Sequence, residues 1–359
     1  MNARSFFIFL FSAVLFPIII MYTVYFGFVT GYAEDVFSRA TFKRQYDQDV
    51  YRYRIFSKAL LFPLHDVVSR ADSIFDKKID SGHEDKYADW NKAEDRRIVL
   101  FIDKEGDVVF YKSLFLLNTI FMVMTTVLAY FLFKDNRFFN LSSLEGASLN
   151  LVLAFIIGIT QFSVNPYDCS AYFFLVSAIY ISLLYVNNPL PRHLFWFCVL
   201  TSIAAMNRET AALGLSFFAT VSISRFGLKQ IRPYLAILLP LFCYLCIYIV
   251  LRLIYGFEHA THHDMVLLLN LRFFHRNISG FAFWLTAIGL FVALAKAYNR
   301  RLIFHFLAFS LPYIVMVWYA AYIFESRLAV PLVIGSLFLS PLENFGLRLQ
   351  ENNGQRETL

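Results

Sequence analysis

Blocks of about twenty apolar residues recur along this 359-residue chain, and that repeat length limits its fold more than any other feature. Twenty helical residues rise about 30 Å, the thickness of a bilayer's hydrocarbon core. Lipid offers no water to satisfy a backbone N–H or C=O, so only helices and closed barrels cross it. A barrel strand shows about ten residues of alternation, and no segment here does. Composition agrees. Hydrophobic residues make up 58% and charged residues 16%, against about 45–50% and about 25% in soluble domains. The expected fold class is an all-α polytopic membrane protein.

Ten transmembrane helices account for the apolar blocks. They cover about residues 5–30, 113–133, 147–162, 169–186, 194–206, 210–224, 233–255, 278–297, 302–324 and 328–342. The chain then divides into a first span (1–31), a large first extracytoplasmic loop (32–112), a multi-span bundle (113–345) and a tail (346–359). The first apolar run is too long for the h-region of a signal peptide, about 7–15 residues, and no A-x-A site follows, so an uncleaved anchor is expected. Orientation follows from Lys and Arg in the short loops. Lys134/Arg137, Arg192/His193, Arg225/Lys229/Arg232, Lys296/Arg300/Arg301 and Arg348 fall in alternate connections. With both termini cytoplasmic, all of these lie inside, as in a bacterial inner membrane. The net charge of +6 is therefore orientation charge and not a nucleic-acid footprint.

The loop at 32–112 holds 16 of the chain's 26 Asp and Glu. In 54–70, Ile55/Phe56, Leu60/Leu61, Leu64 and Val67/Val68 recur at helical spacing among Arg52, Arg54, Lys58 and Arg70. This predicts an interfacial amphipathic helix kinked at Pro63. Segments 98–102 and 108–111 flank Lys-Glu-Gly-Asp and are expected to form a small hairpin.

Four clusters carry chemistry, all on the outer side of this topology. Glu34 and Asp35 stand where the first span leaves the bilayer, placed to accept a proton from an acceptor hydroxyl or amine, or simply to flank an anchor. Tyr51-Arg52-Tyr53-Arg54 offers planar guanidinium donors suited to phosphate and aromatic rings suited to the headgroup layer. Asn207-Arg208-Glu209-Thr210 and Glu325-Ser326-Arg327 lie between spans with almost no loop, each able to face a phosphate or to serve the fold as an ion pair. His259, His262, His263 and Asp264 have metal-like spacing without a further partner set, so no metal is assigned. Asn277-Ile278-Ser279 matches a glycosylation acceptor. Cys169, Cys198, Cys243 and Cys246 read as inert core thiols. No Walker loop, G-x-S-x-G or H-E-x-x-H is present.

The arrangement resembles the GT-C glycosyltransferases, polytopic enzymes that use polyprenyl-phosphate-linked sugars at the outer face of a membrane. Glu34-Asp35 matches the family's acidic residue after the first span, 54–70 matches its juxtamembrane helix, and Arg208 and Arg327 look like its phosphate holders. The run from Tyr51 to Leu64 is similar to one in uncharacterised bacterial members. The resemblance implies an inverting displacement with Asp35 (or Glu34) as base, and a leaving phosphate held by Arg208, Arg327 and Arg52 or Arg54, oriented by Glu209. It implies a polyprenyl-phosphate-linked sugar donor, a glycan, lipid or protein acceptor, membrane lipids as surroundings and no cofactor. The competing readings are a transporter or flippase of an anionic lipid-linked solute, and a scaffold of an envelope complex. Against a carrier, the middles of the spans hold almost no ionisable groups.

Overall fold

The computed structural model describes residues 3–27, 42–43, 52–79, 108–162, 164–256, 270, 272, 274–321 and 325–343. Every regular element among them is a helix. The first span, Ala3–Gly27, combines α1 (Ala3–Phe9) and α2 (Phe16–Tyr22) with two π-helical stretches, Leu10–Leu15 and Thr23–Gly27. Pro17 explains what packs against it. Proline has no N–H, so the carbonyls one helical or π turn before it lose their donor. Thr126 Oγ1 donates to the carbonyl of Ala13 at 2.8 Å, and Asn150 Nδ2 donates to that of Ser12 at 3.1 Å. Thr126 belongs to α4 (Val108–Phe133) and Asn150 to α5 (Ser143–Ile159), so the proline selects where both helices meet the first span.

Between these spans lies α3 (Ile55–Ile79), with Pro63 inside it. Ser57, Leu61 and His65, four residues apart, are buried, while Ala59, Leu60, Pro63 and Val67 are exposed. Four-residue spacing puts one stripe of a helix against a partner, and that partner is α4. A helix does cover the segment where an amphipathic one is expected; it is longer than 54–70 and packs on α4. Residues 108–111, expected as a strand, form the first turn of α4 instead. Their aromatic rings find partners there: Phe110 is fully buried and the Tyr111 hydroxyl donates to the carbonyl of Tyr25 at 2.6 Å. The other half of the expected hairpin, 98–102, lies outside the described residues, as does the tail at 346–359.

The remaining helices are α6 (Asp168–Asn187), α7 (Pro191–Ala205), α8 (Ala212–Phe226), α9 (Arg232–Tyr255), α10 (Phe274–Leu294), α11 (Ala297–Phe309), α12 (Leu311–Ala320) and α13 (Val330–Leu339). Among the described residues, six helices are long and apolar enough to cross a membrane, and a seventh span results if α11 and α12, bent by 51°, count as one. The chain is thus an integral membrane protein by these helices. The ten-span expectation is not met by length. The 15-residue α7 and α8 rise only about 22 Å, and the 10-residue α13 about 15 Å. Length does not make them peripheral, since all ten residues of α13 are buried. At Gly335 an added Cβ would collide with the ring of Phe306, so α11 and α13 pack at a distance only glycine allows.

Polar contacts stitch the helix ends into two groups. At one end, Asn299 Nδ2 donates to the carbonyls of Ser340 and Leu342 at 2.8 and 2.7 Å, and Phe139 pairs with Leu342 in an antiparallel bridge. At the other end the starts of α4 and α6 meet the ends of the first span, α7 and α9, and it is there that the charged clusters gather.

Candidate functional site

The site is organised by a residue that the sequence reading left aside. Asp168 opens α6 and is fully buried. The preceding Asn165-Pro166-Tyr167 fixes it: Asn165 Oδ1 accepts from the backbone N–H of Tyr167 and of Asp168 at 3.0 and 3.1 Å, an Asn-led turn of the usual kind. Asn165 Nδ2 also donates to the Asp168 carboxylate at 2.7 Å.

Two arginines close on that carboxylate. Arg208 pairs with Asp168 from the link between α7 and α8. Arg327 reaches it at 3.3 Å and pairs with Glu325 at 2.8 Å. A third, Arg54, just ahead of α3, donates to Glu209 at 3.0 Å and lies over the Tyr167 ring at 5.0 Å. Three guanidiniums thus meet three carboxylates, from segments far apart in sequence. Pairing at this depth is what burial demands, because a lone buried charge costs several kcal/mol.

Neutral groups hold the charged ones in place. Asn207, fully buried, accepts from Ser57 of α3 and from Ser170 of α6 (2.9 Å), and donates to the carbonyl of Tyr167 at 3.1 Å. Tyr172, Tyr244 and Tyr313 donate to the carbonyls of Arg327, Glu209 and Leu328 at 3.2, 3.2 and 2.7 Å. These bonds fix the backbone on which the ion pairs ride.

Electrostatics follow from the contacts. Burial, with Arg54 and Arg327 nearby, pulls the Arg208 guanidinium down to about 10, still charged at neutral pH. Burial pushes the Glu209 carboxyl up, but Arg54 and Arg208 outweigh it and hold the group below its ordinary value. The cluster thus sets three guanidiniums against three carboxyl groups.

Of the residues singled out from sequence, Arg54, Arg208, Glu209 and Arg327 come together here. Arg52 stands apart, donating to the carbonyl of Tyr255 at the end of α9 at 3.3 Å. Glu34 and Asp35 lie outside the described residues, as do His259, His262, His263 and Asp264. Among the described residues no group of three His, Cys, Asp or Glu side chains is arranged for a metal. The Asn277 motif is unsuited to glycosylation: its side chain is buried and its amide donates to the backbone and side-chain oxygens of Asn270 at 2.9 and 3.2 Å. Asp168 escaped notice because it sits one residue before an apolar run. The signal was there, as a single carboxylate in a short link between two spans.

No protein family matches the chain, and searches of curated proteins and of solved structures give no match either.

Proposed function

We propose that the chain is a membrane glycosyltransferase that moves a sugar from a polyprenyl-phosphate donor to an acceptor at the extracytoplasmic face, in a topology of about ten spans. One observation carries the reading. Arg54 of the loop segment, Arg208 and Arg327, the residues whose guanidiniums suit a phosphate, meet at one end of the bundle beside the docked α3. A displacement at the anomeric carbon leaves negative charge on the departing phosphate, and fixed cations facing that charge lower the barrier most when their orientation is set in advance. The ion pairs and tyrosine bonds supply that fixity. In this reading Asp35, or Glu34 beside it, takes the acceptor's proton.

The test is sugar transfer by the purified protein in liposomes, with polyprenyl-phosphate-linked sugars as donors and mass spectrometry of the products. Transfer by the wild type and none by Asp35→Asn, with polyprenyl phosphate still bound, supports the reading. Full activity of both Asp35→Asn and Glu34→Gln removes the proposed base, and absence of transfer with every donor removes the function.

A further inference from the structure

Because α7 and α8 rise only about 22 Å, the link between them stops short of one membrane surface. Two longer helices show how far short. From Ser113 to Phe133, α4 has no charged residue, a rise of about 30 Å that matches the hydrocarbon layer. Phe121 stands eight positions into that stretch, about 12 Å down. Its ring meets that of Phe56 with centroids 6.3 Å apart. On α9 the uncharged stretch ends at Arg252. Tyr244, eight positions earlier and again about 12 Å down, donates to the carbonyl of Glu209. Both helices place Glu209 and the start of α3 about 10 Å inside the layer.

The chain descends to that level and climbs back. Arg52 and Tyr53 donate to the carbonyls of Tyr255 and Gly256, at the very end of α9, whereas Arg54 reaches down to Glu209. Nine positions after Phe56, the His65 ring lies 5.7 Å from that of Phe110. The step is about 14 Å along α3 and about 16 Å along α4, so the two helices run nearly antiparallel. Polarity changes at the same point. Ile55–His65 contains Lys58 and no other Lys, Arg, Asp or Glu, whereas six such charges fall in Asp66–Ile79. A lysine stem lets its ammonium reach toward water. The segment also meets a need of the fold. Non-helical backbone at membrane depth is tolerated only where protein covers it. The start of α3 covers the α7–α8 link, for the Phe56 N–H donates to the carbonyl of Met206 and Ser57 to Asn207.

We infer that α3 is re-entrant. Its first half lies in the hydrocarbon layer, with the exposed Ala59, Leu60 and Pro63 against lipid acyl chains, and its second half stands in water. The ion cluster then lies below the membrane surface, where ionisable groups are costly, rare and mark functional sites. A group carried on a membrane-embedded molecule reaches that depth, which fits the lipid-linked donor of the transferase reading. The inference itself does not rest on that reading. The interfacial helix expected from sequence would instead lie in the plane of the surface.

Spin labels on the full chain in liposomes read this depth, from the relative access of oxygen and of a water-soluble nickel complex to each label. Cys169, Cys198, Cys243 and Cys246 are replaced by Ala, and single cysteines then enter as Leu60→Cys, Val67→Cys and Ala71→Cys. These exposed positions, seven and then four residues apart, share one face of α3. Leu116→Cys, at an exposed position of α4, calibrates the scale, and Ala59→Cys repeats the deep reading at a second exposed position. Thermal unfolding checks that each labelled protein is folded. The Leu60 position, one turn above Phe56, is expected within about half a turn, or about 3 Å, of the depth at Leu116. The Val67 label is expected about 10 Å shallower, at headgroup level, and the Ala71 label in water. Three labels at one depth overturn the inference, since a helix in the plane of the surface keeps one face at one level. Labels at Leu60 and Ala59 that the nickel complex reaches as freely as it reaches Ala71 overturn it as well.

Discussion

Arg54 donates to Glu209 at 3.0 Å across 155 residues of sequence. That bond fastens the segment between the first two spans to the turn between α7 and α8. It works together with Ser57, which donates to Asn207, and with the backbone N–H of Phe56, which donates to the carbonyl of Met206 at 3.1 Å. The helix expected at the membrane interface is anchored to the bundle through its first turn. A double-mutant cycle of Arg54→Ala and Glu209→Ala is expected to give a coupling of about 0.5–3 kcal/mol, measured by thermal unfolding in detergent. A coupling of zero would mean that the pair does not fasten α3.

Asp168 pairs with Arg208 and Arg327 at once, so Asp168→Asn removes the carboxylate that faces the buried Arg208 and one of the two that Arg327 meets. Breaking a buried pair from one side costs about 3–5 kcal/mol. The expected outcome is a large fall in the unfolding midpoint, greater than that of Arg54→Ala, whose partner Glu209 is 21% exposed.

The pH dependence follows from Glu209. Its carboxyl is held below the ordinary value of 4.5 in the folded chain, so the unfolded chain takes up the proton first on acidification. Its contribution is therefore complete above that value and is lost as the pH falls through the folded value. The unfolding midpoint is expected to fall below about pH 4.5. In Glu209→Gln the fall should be shallower and the midpoint at neutral pH lower. An identical acid profile would assign the effect to other carboxylates.

Close packing of α13 gives a further test. Gly335→Ala places a methyl group against the Phe306 ring, with a cost of about 1–3 kcal/mol for overpacking a filled core. Phe306→Leu in the same chain should return part of that loss, and the unfolding midpoints of the single and double variants measure it.

The helical class, the membrane and most of the longer spans were legible in the sequence, because the bilayer imposes a length and a polarity that each segment meets or fails by itself. Val108–Phe133, Asp168–Asn187 and Arg232–Tyr255 lie within a few residues of where the apolar runs predict them. The count of ten was less secure for a related reason. Apolarity does not distinguish a lipid-exposed span from a helix buried in protein, and the short, wholly buried α13 satisfies one as well as the other.

Part of the site was legible too, since Arg54, Arg208, Glu209 and Arg327 are charged residues at the ends of apolar runs, where holding a charge is costly. Their partners were not, because sequence carries no record of which helix ends share a side. Only the packing of α3, α6 and the α7–α8 link brings Asp168 under Arg208 and Arg327. Local sequence thus determined which long segments are apolar enough to cross a membrane and which charges stand at their ends. Tertiary structure decided which of those charges neutralise one another, because that depends on distances between segments more than a hundred residues apart.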